Sequence, residues 1–266
     1  MTSKIFLLEL LLTFMVASGW IYFTVLAGLR LGTRTGGFIG GLPSTALLSF
    51  FFIGITESPE NAAADTTIFP IAISISVLFL VVYAALARRG FWLAMVSALC
   101  FWLVSAFIID FFNWANFLLN LFIYAVVVSG AFITLEKILR IRSVVSEKKG
   151  QPEKHLLIRS VFGGFAVMLS VLIAKAGGPA LGGIAAAFPA MFISMLTISY
   201  YANGVMFSRA MTKPLMITGM ITVAVFAISI RHFYMISGLY IGTLCAIVAS
   251  GIGAYLTYTF ILPRLK

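Results

Sequence analysis

The chain carries two histidines, two cysteines and only eight acids, so little is available for chemistry. His155 and His232 lie in or beside charged connections, and Cys100 and Cys245 lie inside apolar runs. No nucleophile–base pair, metal-ligand spacing or disulfide framework can be assembled from these residues. Gly177-Gly178-Pro179 follows no strand, which makes it a poor match to a phosphate-cradling nucleotide loop. The expectation is a protein that is not an enzyme and has no catalytic residue, metal site or cofactor.

What remains is the chemistry of helix starts. Arg30 and Arg34 precede Gly36-Gly37-Phe38-Ile39-Gly40-Gly41-Leu42-Pro43, and Lys175 precedes Gly182-Gly183-Ile184-Ala185-Ala186-Ala187-Phe188-Pro189. A helix N-terminus offers free N–H groups and about half a positive charge, so either entry, with its flanking cation, is suited to an anionic group. On this reading the substrate-binding set is Arg30, Arg34, Gly36, Gly37, Gly40, Gly41, Pro43, Lys175, Gly182, Gly183 and Pro189. The same glycines, at four-residue spacing, also suit close packing of membrane helices, and both readings stand. Glu9, about one turn into the first apolar run, is either a proton- or cation-coupling site or an interfacial acid.

These residues must be positioned by helices in a bilayer. With 62% hydrophobic and 10% charged residues, the chain holds more apolar side chains than a soluble core of this length needs. Apolar runs long enough to span, at about 20 residues each, fall at 5–29, 36–55, 68–87, 91–112, 117–135, 156–174, 182–199, 215–230 and 234–262. The first carries Glu9 and continues to Leu29, so it reads as a span and not as a cleaved leader. Pro43 and Pro189 break their runs and release the carbonyls of Ile39 and Ala185, which need other partners in hydrocarbon. Asp110, Asn113 and Asn116 mark the turn between the fourth and fifth spans, although with Asn120 they also approach helical spacing. Asn120 lies deeper, where it would bond a neighbouring helix.

The net charge of +10 reflects topology and gives no reason to expect nucleic acid. With nine spans, every Lys and Arg except Lys4, Lys175 and Arg231 falls on one side, which is then cytoplasmic. The N-terminus is expected outside and the C-terminus inside a plasma or bacterial inner membrane, with the acids Glu57, Glu60, Asp65 and Asp110 outside. The stretch 136–159 reads either as an extension of the fifth helix along the anionic leaflet or as a plain tether.

Landmarks recur at one period of about 145 residues: Pro43 with Pro189, Pro70 with Pro214, and Leu99-Cys100 with Leu244-Cys245. An odd linker span between two such units inverts the second. The expected fold is therefore all-α and polytopic, with about nine transmembrane helices. Residues 1–116 form the first four-helix repeat, 117–155 the linker helix and a basic cytoplasmic loop, and 156–266 the second repeat.

The stretch from Gly36 to Leu48, with Thr56-Glu57-Ser58-Pro59-Glu60 and Thr66-Thr67-Ile68-Phe69-Pro70, resembles the GlpM-type small four-helix membrane proteins. The resemblance covers one unit at a time and implies a fused, inverted duplication; it implies no substrate. Matching Gly/Pro-interrupted spans in two halves point to a secondary transporter with its site between helices 2 and 7. The expected substrate is anionic, a phosphate-bearing small molecule or lipid. A non-transporting membrane scaffold or assembly factor and a carboxylate-dependent cation exchanger are the alternatives. The expected partners are the bilayer, the substrate and, as an option, a second copy.

Overall fold

Among the described residues, the helix-to-helix corners are made by one or a few residues. The computed structural model describes residues 3–30, 43–112, 114, 116–141 and 153–261, and every regular element among them is helical. In order these are α1 (Ser3–Arg30), α2 (Ser44–Thr56), α3 (Pro59–Asp65), α4 (Phe69–Leu86), α5 (Phe91–Phe112), α6 (Phe117–Ile133), α7 (Glu153–Ala186) and α8 (Ala190–Leu256). A 3-10 turn, Ala87–Arg89, follows α4, and π turns Thr134–Ile138 and Thr257–Ile261 follow α6 and α8.

The last two helices are not straight rods. At Gly178 (φ 72°) α7 folds back so that Ser170 reaches Ala185. α8 folds back at Gly204 (φ 81°), where Ser208 meets Leu196, and again at Gly238 (φ 70°), where Tyr234 meets Thr243. A left-handed φ is what lets one residue reverse a helix, and only glycine adopts it without a steric cost.

Among the described residues, seven helices are long and apolar enough to cross a membrane, and Thr45–Thr56 is a shorter apolar helix. Their large side chains point outward in bands, such as Leu7, Leu8, Leu11 and Met15 on α1 and Trp92, Val96, Phe107 and Phe111 on α5. Such bands would aggregate in water and suit a lipid surface. The architecture is that of an all-α, membrane-spanning protein.

At the centre is α4, which buries residues around its whole circumference and packs on α5, α6, α7 and α8. α1 lies along the first part of α7 through a stripe of Leu10, Thr13, Ala17 and Ile21. The close approach comes from α7: a Cβ at Gly164 would collide with Ser18 Oγ, and one at Gly163 would lie 2.6 Å from Ile21 Cδ1. Small residues at such contacts let membrane helices pack backbone to side chain.

Three expectations change here. Pro214, which immediately precedes the expected span 215–230, does not open a helix; it lies within the helical stretch 205–237 of α8, where its missing N–H frees the carbonyl of Ala210. Arg209 and Lys213, which fall between the expected spans 182–199 and 215–230, are likewise part of α8, with both side chains buried, because Gly204 completes the turn several residues earlier. Of the two readings of 136–159, extension of the helix along the leaflet stops early, at the end of the π turn after α6. Arg140 takes a left-handed φ of 48°, the Ile141 N–H returns to Leu135 O (3.0 Å), and the helix ends there.

The turn between α5 and α6 forms where expected. Asn116 caps α6 by accepting from the Leu119 N–H (3.1 Å), while Asn113 lies outside the described residues. Asn120 is fully buried and donates to Thr67 O (2.8 Å) and Trp114 O (3.0 Å).

Candidate functional site

Pro43 and Pro189 play the same local part. Each is the N-cap of the helix that follows, with φ −76° and ψ 59° at Pro43 and φ −78° and ψ 40° at Pro189. Proline suits this position because it has no N–H to leave unsatisfied and its φ is already near the helical value. α2, which starts at Pro43, packs on both α7 and α8, the helices on either side of Pro189.

The break before Pro189 is buried and its carbonyls are all but fully served by protein. Ala185 O accepts from Phe188 N–H (3.1 Å) and from Ser170 Oγ (2.9 Å). Ala187 O accepts from Ser76 Oγ on α4 (2.6 Å), which in turn accepts from Trp102 Nε1 on α5 (2.9 Å). The Trp102 ring also meets Phe188 edge-on at 5.2 Å. A helix interruption at membrane depth is stable only when such partners exist, and here three helices supply them.

The glycines of the break receive a carboxylate. Asp65, the last residue of α3, is 1% exposed and sits on Gly182 and Gly183. A Cβ at Gly182 would collide with Asp65 Oδ2, and one at Gly183 with the Asp65 carbonyl and with Ile68 (2.5 Å). The pair therefore admits the end of α3 against α7. Both carboxylate oxygens are enclosed and have no hydrogen-bond partner among the described residues. Burial, with a lesser push from Glu57, raises this carboxyl to about 8, so it is mostly protonated at neutral pH.

The turn behind Asp65 is fastened from two sides. Thr66 Oγ1 donates to Ala63 O (2.6 Å), and Asn120 of α6 holds Thr67 O. Arg231 of α8 donates from Nη1 to Thr67 Oγ1 (2.8 Å) and lies 4.8 Å over the Phe117 ring. Arg231 is one of the cations against the charge bias, and this clamp accounts for it.

Other expected site residues are dispersed. Lys175 is exposed on α7 before the Gly178 turn. Arg34, Gly36, Gly37, Gly40 and Gly41 lie outside the described residues, as does the side chain of Arg30. Glu9 is half-buried, and its Oε2 is enclosed without a partner among the described residues.

A second polar centre lies at the ends of α4 and α6. Arg209 of α8 is 6% exposed and donates from Nε to Ala84 O (2.8 Å) and from Nη2 to Leu139 O (3.1 Å), capping the C-terminal carbonyls of two helices. One turn on, buried Lys213 pairs with Glu136 of the π turn. Reading the sequence by span length put Arg209 and Lys213 in a loop and Asp65 in an acidic exterior connection. The available signal for Asp65 was the pair Ala62-Ala63 before it, small enough for that face of the helix end to be buried.

Residues 156–262 match the DUF3147 family, described as a protein of unknown function. The match covers α7 from Leu156 through α8 and most of the residues after it. No curated protein and no solved structure matches the chain.

Proposed function

We propose that the chain is a proton-coupled secondary transporter in a cell membrane, and that Asp65 is its coupling group. The observation that carries this reading is a buried carboxyl without a partner, placed on the glycine pair of a proline-broken membrane helix. An ionisable group at such a place marks an ion or proton path. Protonated, Asp65 can stay against Gly182 and Gly183; ionised, it favours leaving that apolar contact for water. Loss and gain of one proton then bias α3 and α2 between docked and released positions against α7.

The matched backbone at Pro43 and Pro189 supports two units, with α6 as the linker that inverts the second. Dividing α7 and α8 at Gly178, Gly204 and Gly238, with the pieces on either side of Pro189 counted as one broken span, gives nine crossings among the described residues, and the family match at 156–262 coincides with the second unit. The N-terminus is then outside and the C-terminus cytoplasmic. The substrate is an anionic, phosphate-bearing small molecule or lipid that enters beside the proline breaks. Carboxylate-dependent exchange of a metal cation is less favoured: Glu57 is near enough to raise Asp65, but no group of three or more His, Cys, Asp or Glu side chains able to hold a metal occurs among the described residues.

The test is uptake into proteoliposomes under an imposed pH gradient, screened over small phosphate- and carboxylate-bearing anions. Gradient-driven uptake that Asp65→Asn abolishes, with the fold intact, supports the proposal. A scaffold is the second reading, favoured by the bonding of the break's carbonyls to Ser170 and Ser76, the latter held by Trp102. Absence of any flux or proton movement in the intact protein would give it precedence.

A further inference from the structure

The cavity beside Arg209 has no role in that mechanism, yet most of the residues that line it are cations. It holds about 470 Å³ and is lined by Ala85, Arg88, Lys137, Leu139, Arg140 and Arg209, with Ile138 at its edge. Four cations line it and no acid does. Glu136, on the same π turn, is engaged by Lys213.

Positive-inside topology explains cations near this end of the helices, and capping explains why Arg209 points at Ala84 O and Leu139 O. Neither explains convergence. Arg209 uses two of its five N–H donors on those carbonyls, and among the described residues the Nη1 donors have no partner. A buried guanidinium without an acid is costly unless an anion completes it. Arg140 is brought to the same cavity by a left-handed backbone that side chains other than glycine and asparagine rarely adopt. Arg88 comes from the 3-10 turn after α4 and Lys137 from the π turn after α6. Three separate chain segments thus deliver four charges, two of them through fixed backbone or carbonyl contacts.

We propose that this cavity binds a phosphate group, held by the buried Arg209 and closed over by Arg88, Lys137 and Arg140. Guanidinium forks suit phosphate oxygens, and paired N–H donors to an ionised acceptor are the strong kind of hydrogen bond. The phosphate belongs either to a lipid headgroup at the membrane surface or to a soluble phosphoester, since the same donors fit both. The proposal does not rest on transport and holds for a scaffold as well.

The test uses the full chain, purified and delipidated in neutral detergent, with thermal unfolding and native mass spectrometry as readouts. The probes are inorganic phosphate, glycerol phosphate and short-chain phosphatidic acid, with phosphatidylcholine as the neutral comparison. A raised melting temperature with phosphatidic acid alone identifies a headgroup site; a rise with the soluble esters as well identifies a free-phosphate site. Arg88→Gln with Arg140→Gln, both exposed in the free protein, should leave the unliganded melting temperature unchanged and weaken the effective probe about tenfold or more. No shift with any phosphate, or an equal shift in the double variant, would overturn the proposal. Binding without flux would sink the transport reading and leave this one standing.

Discussion

Replacing Asp65 with asparagine should stabilise the protein at high pH and leave it nearly unchanged in mild acid. The carboxyl rises from 3.8 to about 8 on folding. Its unfolded form loses a proton as pH passes 3.8 while the folded form keeps it, so native stability falls across that window and is lowest above pH 8. At about 1.4 kcal/mol for each tenfold change in proton affinity, the full penalty is on the order of 6 kcal/mol. An asparagine amide left without partners costs roughly 1–3 kcal/mol itself. The net gain for Asp65→Asn is therefore on the order of 3–5 kcal/mol near pH 9 and close to zero near pH 5. The assay is thermal or denaturant unfolding of both proteins in one detergent across that range. A gap that does not grow with pH, or a variant less stable than the parent near pH 9, would refute the burial argument for Asp65.

Gly183→Ala forces a methyl onto the Asp65 carbonyl and Ile68 and should destabilise by roughly 1–3 kcal/mol, read as a lower melting temperature. Glu136→Leu alone strands the buried Lys213 charge and should cost roughly 3–5 kcal/mol, whereas adding Lys213→Met should recover most of it. Cysteines at Ser58 and Ser146 should react with a membrane-impermeant maleimide from opposite sides; labelling of both from the same side would remove the inverted arrangement.

Much of the fold was legible because its signals are local. Apolar length marked the membrane helices, the cap at Asn116 lay among turn residues, and Pro43 and Pro189 marked breaks in their runs, although the helices of α2 and α8 start at these prolines and not at the glycine entries before them. The expectation that Ala185 C=O needs a new partner follows from proline chemistry alone, and Ser170 is that partner. Which hydroxyl would answer was not legible, because Ser170 reaches Ala185 only through the reversal at Gly178. The same limit hid Arg209 and Lys213. Charge and span length favour a surface loop there, and only the single-residue turn at Gly204 turns them inward to the ends of α4 and α6. Asp65 was hidden by its neighbours Glu57 and Glu60, which make the connection look uniformly acidic and wet. What separates it is the packing of α3 against Gly182 and Gly183, a tertiary fact with no periodic signature.

The central claim is that Asp65 holds a proton at neutral pH and releases it within reach of physiological change. Difference infrared spectroscopy of the purified protein, titrated from about pH 3 to about pH 10, observes that proton directly through the carbonyl stretch of a protonated carboxyl. The result expected is a band present at neutral pH, lost with a midpoint near 8 and missing from Asp65→Asn. A band lost near the ordinary 3.8, or one that persists unchanged in Asp65→Asn, would contradict it.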